Sequence, residues 1–256
     1  MSLREFFGFG GYTRPAEGYL SPQHLIFVTS LVIVMIGCAV FIGLCNRRRS
    51  DREKNLPLIF SAFLIDGLEL FKIVLLCFRH EDPLHWIYEL PLFLCSIQLI
   101  AIPMAAFCKG RLKEASIDFV AIFGILGAIM GTYFAGNNYA VYPVFSFDNV
   151  VSGLTHCISG FAALYLLISG LAGMKPRNIP ITAGILSGFC VCAYAANLLV
   201  DYNYMFLMRG DGTPYDIVFN FLKGNPVLYP LAVVLLFFIY IAAYYGVFHL
   251  VRSRKK

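Results

Sequence analysis

The chain has 256 residues, 59% of them hydrophobic and only 14% charged, with a net charge of +5 and a mean hydropathy of +0.73. That composition excludes a soluble domain, because no globular surface could hide so much apolar area. The positive charge is a membrane-protein asymmetry and not a nucleic-acid footprint.

Residues 1–20 carry Phe6, Phe7, Phe9, Tyr12 and Tyr19 among glycines. They lack the basic start and small-residue cleavage site of a signal peptide, so they read as an outer interfacial segment. Seven apolar runs follow, at 25–44, 56–78, 86–107, 117–136, 150–174, 179–200 and 227–248. Each meets the ~20 residues that a helix needs to cross the hydrocarbon core, and none alternates with the period of a membrane barrel. The expectation is an all-α polytopic membrane protein, one seven-helix domain over residues 1–256. No internal repeat relates its halves.

Orientation follows from the basic residues. Arg47, Arg48, Arg49, Arg52, Lys54, Lys109, Arg111, Lys113, Lys175, Arg177 and the tail Arg252, Arg254, Lys255 and Lys256 fall on one side. The other side has only Arg4, Arg14, Arg79, Arg209 and Lys223. The positive-inside rule then predicts an outer N-terminus and a cytoplasmic C-terminus. The eight cysteines lie within or at the ends of apolar runs, as small packing residues do, and imply no disulfide framework.

The first helix opens at Ser21 and Pro22 with an N-cap and an N1 proline. The second carries Asp66, Glu69 and Lys72 in its middle. A charge at bilayer depth costs about 2.5 to 3.5 kcal/mol even on the lenient insertion scale, so these groups need a partner or a wet cavity. They form either a structural Glu69–Lys72 pair at i,i+3 or part of a functional site.

The third helix enters past His85, Trp86 and Tyr88 and carries Cys95 and Gln98 between Pro91 and Pro103. Each proline removes a backbone donor, and Pro91 displaces the carbonyl of Ile87. As a helix, the run places Cys95 roughly 13 Å below Trp86. In the fourth, Gly124, Gly127 and Gly131 read as close packing. The fifth carries His156 between small residues, roughly 10 Å inside the outer boundary. The sixth runs outward through Asn197 to Asp201, Asn203 and Tyr204, and the loop 201–226, too apolar for a solvated linker, reads as a lid over an outer cavity.

Asp66, Glu69, Cys95, His156, Asn197, Asp201 and Asn203 therefore come from four helices at similar depth. A thiol, an imidazole and an orienting carboxylate or amide are the parts of a nucleophilic acyl-transfer centre. By pattern alone, a lone cysteine and a lone histidine on membrane helices are more often a packing thiol and a satisfied core histidine. The sequence has no metal-ligand spacing, phosphate-cradling loop or dinucleotide fingerprint, so no metal or cofactor is expected. The competing reading is a transporter or channel with an Asp66/Glu69/Lys72 relay.

The segments WIYELPLFLC, VSGLTHCISG and ANLLVDYNYMFLMRGDGTP followed by GNPVLYP resemble the YwaF-like bacterial integral membrane family. That family is itself similar to a eukaryotic transmembrane acyltransferase making polyunsaturated ether phospholipids, and remotely to the androgen-induced hydrolases of fatty acid esters. The resemblance implies a seven-helix lipid acyltransferase or acyl hydrolase acting on membrane lipids, with Cys95 as nucleophile and His156 as base. It puts Asn197, Asn203 and Tyr204 on recurrent family positions. Phe93 stands where bacterial members have histidine. Together with the absence of any Asn-x-Ser/Thr acceptor, the resemblance points to a bacterial plasma membrane.

Overall fold

A computed structural model describes residues 2–253; Arg254, Lys255 and Lys256 of the basic tail lie outside the described residues. The helices are α1 (Leu3–Phe6), α2 (Pro22–Asn46), α3 (Asp51–Arg79), α4 (Gln98–Phe107), α5 (Gly110–Thr132), α6 (Gly136–Val141), α7 (Phe147–Ile168), α8 (Ile179–Val200), α9 (Tyr215–Phe221) and α10 (Leu228–Ser253). Short 3-10 turns sit at His85–Glu89, Pro176–Asn178 and Tyr204–Phe206, and there is no strand among the described residues. Five stretches are long and apolar enough to cross a membrane: α2, Gly110–Val141, α7, Pro176–Val200 and α10.

Local signals set several boundaries. Ser21 accepts a hydrogen bond from the His24 N–H at the start of α2, ahead of Pro22. Ser50 and Glu53 form a reciprocal capping box on α3. Asp201 ends α8 in the left-handed conformation.

The hub is α5, whose residues are buried without a break from Ala115 to Gly124, as expected of a helix that is apolar on every side. It packs mainly on α7, then on α4 and α8. A β-carbon at Gly124 would stand 2.8 Å from the Ala163 β-carbon and from the Ser159 carbonyl oxygen, so the glycine is what lets α5 and α7 approach. The outward faces of α2, α3 and α10 expose Ile26, Phe41, Phe60, Phe63, Leu231 and Leu235, a band of apolar surface that only lipid would cover.

The third apolar run is not one helix, contrary to the sequence expectation. Leu90 takes an extended conformation, as the residue before a proline must, and Pro91 supplies no donor. The chain then turns tightly: the Ser96 hydroxyl accepts from the Phe93 N–H and donates to the Phe93 carbonyl. Helix resumes only at Gln98, whereas Pro103 is absorbed inside α4. The helical depth of Cys95 below Trp86 does not apply.

Residues 2–20 fold back on the bundle. Phe6 and Phe7 pack on Phe147, the Tyr12 hydroxyl donates to Asp148 at 2.6 Å, and the Arg79 guanidinium grips the same carboxylate twice at 2.7 Å.

Candidate active site

A cavity of about 190 Å³ lies between α3, the 85–97 segment, α7 and the 201–226 loop. Cys95 and His156 both line it. Cys95 sits in the turn before α4, whose N-terminus has no side-chain cap. Among the described residues the N–H groups of Cys95 and Ser96 have no backbone acceptor. Cys95 thus sits just ahead of the positive end of a helix, in a turn with two such N–H groups.

His156 Nδ1 lies 2.6 Å from the carbonyl oxygen of Ser152, one turn earlier on α7. A carbonyl can only accept, so Nδ1 carries the proton and Nε2 is left as the basic nitrogen. Helix α5 supplies the wall behind the pair. A β-carbon on Gly131 would collide with the His156 ring, and one on Gly127 would meet Cys95 Cα at 3.4 Å and Cβ at 3.5 Å. Gly131 is thus what makes room for the His156 ring, and Gly127, one turn away, packs on Cys95 at ordinary contact distance.

Glu69 and Lys72 reach the same cavity. Their i,i+3 pair forms at 2.6 Å, and Lys72 makes a second pair at 3.0 Å with Glu89 of the 3-10 turn. Asp66 is different: it is half-buried, does not line the cavity, and has no partner among the described residues.

The amide and carboxylate groups read from the sequence as orienting residues do other work. Asn197 is buried and holds the backbone of Tyr204 through both ends of its amide, at 3.0 and 2.6 Å. Asn203 folds the following turn by bonding Met208, Arg209 and Asp211. Asp201 is exposed at the end of α8, and Gln98 is fully buried with neither end of its amide partnered. None of these four lines the cavity; the imidazole is oriented by the Ser152 carbonyl. Tyr204, also outside the lining, donates from its hydroxyl to the Ile87 carbonyl at 2.5 Å. Burial pushes that hydroxyl up to about 12.

Sequence reasoning missed Glu89, Gly127, Gly131, Ser152 and Tyr202 as parts of this site. Phe93 lines the cavity and packs on Tyr202, Tyr204 and Phe206. The first half of the 201–226 loop is anchored in the core, with Tyr204, Met205 and Leu207 buried. Its second half, α9, exposes Ile217 and Phe221.

This is a multi-pass, α-helical integral membrane protein with Cys95 and His156 on the wall of one cavity. The chain belongs to the TMEM164 family, which it matches over residues 19–245. No curated protein and no solved structure matches it.

Proposed function

We propose that this protein is a membrane-embedded lipid acyl-transfer enzyme, an acyltransferase or acyl hydrolase, that carries the acyl group on Cys95. The observation that carries the reading is that Cys95 shares one cavity with a His156 whose Nδ1 is committed to the Ser152 carbonyl. The family resemblance adds lipid esters as the substrate class.

In the first half-reaction, His156 Nε2 takes the thiol proton and the sulfur attacks the ester carbonyl carbon. The N–H groups of Cys95 and Ser96 receive the oxyanion. Collapse expels the alcohol, which leaves with the proton from His156, and a thioester remains. The hydroxyl of a second lipid, or water, then gives its proton to Nε2, attacks the thioester and returns the thiol. Which acceptor is used decides between transfer and hydrolysis.

The reading includes seven spans, with α3 and the broken 85–107 segment added to the five long apolar helices, and an outer N-terminus. Supporting α3 as a span are its 29 residues, roughly 43 Å of helix, and its exposed Phe60, Phe63, Leu70 and Phe78. The reading also includes a bacterial plasma membrane, which the YwaF-like resemblance implies. A transporter built on an Asp66/Glu69/Lys72 relay has less support, because Asp66 stands apart from the Glu69–Lys72–Glu89 cluster.

The test is intact-mass analysis of the full chain after incubation with membrane phospholipids, with lipid turnover followed in the same samples. The expected result is an acyl adduct on Cys95 that hydroxylamine removes, absent from Cys95→Ala and His156→Ala and retained in Asp66→Asn. Unchanged lipid turnover by Cys95→Ala would overturn the proposal.

A further inference from the structure

The end of the bundle away from Cys95 holds a larger cavity, about 830 Å³, within the size range of small-ligand sites. It lies between the N-termini of α3 and α5 and the loop that follows α7. The acyl chemistry proposed above uses none of it.

Its walls carry both signs of charge. Arg52 and Lys113 line it, and among the described residues neither is paired with a carboxylate within salt-bridge distance. Lys113 Nζ instead donates to Asn55 Oδ1 at 2.8 Å and to the Ala106 carbonyl at 3.0 Å. Gly110 also lines the cavity, where α5 begins with no side-chain cap and no acidic residue in its first turn. A helix start without a cap, next to two cations, is suited to a phosphate.

A second, independent feature asks for a donor. Asn178 lines the cavity and is 1% exposed. Its Nδ2 donates to Asp118 Oδ2 at 2.8 Å, which fixes the amide orientation, and its Oδ1 is buried with no partner. An orphan acceptor of this kind costs about 1–3 kcal/mol unless a ligand or water fills it. The carboxylates of Asp51, Glu114 and Asp118 share the lining, Asp51 paired with Lys54 and Glu114 with Lys175 and Arg177, so the walls present acceptors as well as cations.

We propose that this cavity is a second, non-catalytic site for a phosphodiester bearing a primary amine, the chemistry of a phosphoethanolamine head. The phosphate lies toward Arg52, Lys113 and the start of α5. The ammonium donates to Asn178 Oδ1. A membrane lipid and a free phosphoester both offer this chemistry.

The experiment is hydrogen–deuterium exchange of the full chain in detergent micelles, read at the start of α5 and in residues 169–178. The probes are dihexanoyl phosphatidylethanolamine, dihexanoyl phosphatidylcholine and glycerophosphoethanolamine. Phosphatidylethanolamine is expected to protect both segments, at about tenfold lower concentration than phosphatidylcholine, whose head has no N–H; tenfold corresponds to about 1.4 kcal/mol. Asn178→Ala should abolish that difference. Because Asn178 also bonds Asp118, a second variant is needed: Arg52→Gln, at an exposed position, should weaken protection by both lipids while leaving their ratio. Protection by glycerophosphoethanolamine at similar concentration identifies the head alone as sufficient, and protection by the lipid only identifies a membrane source. Equal protection by the two lipids, no protection, or an Arg52→Gln protein that binds as before overturns the proposal.

Discussion

The Tyr204 hydroxyl donates to the carbonyl of Ile87 at 2.5 Å, the same carbonyl that Pro91, four residues on, cannot bond. The break before Cys95 and the fold of the outer loop are therefore one feature, since the loop supplies the donor that the proline withholds. Asn197 clamps the Tyr204 backbone from α8. Tyr204→Phe should destabilise the protein by about 0.5–1.5 kcal/mol, the net contribution of a hydrogen bond to a partly buried carbonyl, measured as thermal unfolding in detergent. The pH dependence has a definite sign. The folded-state hydroxyl titrates near 12 against an ordinary 10.0, so the unfolded chain loses its proton first, and stability falls as pH rises between those values. Tyr204→Phe should flatten that decline relative to wild type.

Gly131 meets the His156 ring so closely that an added β-carbon has no room. Gly131→Ala should displace the imidazole and cut lipid turnover by about 100-fold, as misplacement of a reacting group does, at a stability cost of roughly 1–3 kcal/mol for overpacking. Gly127→Ala, with its contacts to Cys95 at 3.4 and 3.5 Å, should lower turnover less. Equal loss in the two variants would mean that general disruption of α5, and not the place of His156, is being measured.

The contrast between these glycines and the polar residues of α8 shows where sequence reasoning reached and where it stopped. Span length and hydropathy are local properties, so the long apolar helices were legible, as was the disturbance at Pro91. How far that disturbance spreads was not legible, because it depends on the Ser96 hydroxyl closing a turn on Phe93. Asn197 and Asn203 read as site groups because a buried amide needs partners, and a sequence does not say whether those partners are substrate or backbone. The partner of His156 Nδ1 was overlooked for the opposite reason: a carbonyl one helical turn away is available to any helical histidine and leaves no mark in the residue pattern. Gly127 and Gly131 read as helix packing, and the packing proves to be against the reactive side chains.

The Arg79–Asp148 pair joins the end of α3 to the start of α7, and Tyr12 ties the N-terminal segment to the same carboxylate. Both side chains of the ion pair are close to buried, at 9% and 11% exposure. Removing one partner strands the other, so Asp148→Ala should cost about 3–5 kcal/mol. Tyr12→Phe removes one bond and leaves the pair, for a loss of about 1.5–3 kcal/mol, the range for a hydrogen bond to a charged group. Limited proteolysis should then cut within residues 2–20 faster in both variants, and fastest in Asp148→Ala. Equal cleavage in all three proteins would mean that the segment is held by its other contacts, Phe6 and Phe7 on Phe147, Glu17 on the Val144 N–H and Tyr19 on the Tyr133 carbonyl.

Lys72 lies between two carboxylates, 2.6 Å from Glu69 and 3.0 Å from Glu89. It holds the 3-10 turn that precedes Pro91 against α3, on the wall of the Cys95 cavity. Lys72→Met leaves two facing carboxylates without a cation, and the expected loss is roughly 3 kcal/mol, the low end for breaking a buried pair because all three groups retain some exposure to the cavity. Combining Lys72→Met with Glu69→Gln and Glu89→Gln removes the uncompensated charge and should recover most of that loss, since the cost of one broken partner is mainly the stranded ion. The same set separates the two functional readings. If Cys95 carries the acyl group, the triple variant should regain both stability and adduct formation. An ion or proton relay would instead be abolished in the triple variant even though its fold is restored, so adduct mass that returns with the fold supports the enzyme, and vesicle transport present in wild type and lost in the refolded triple variant supports the relay.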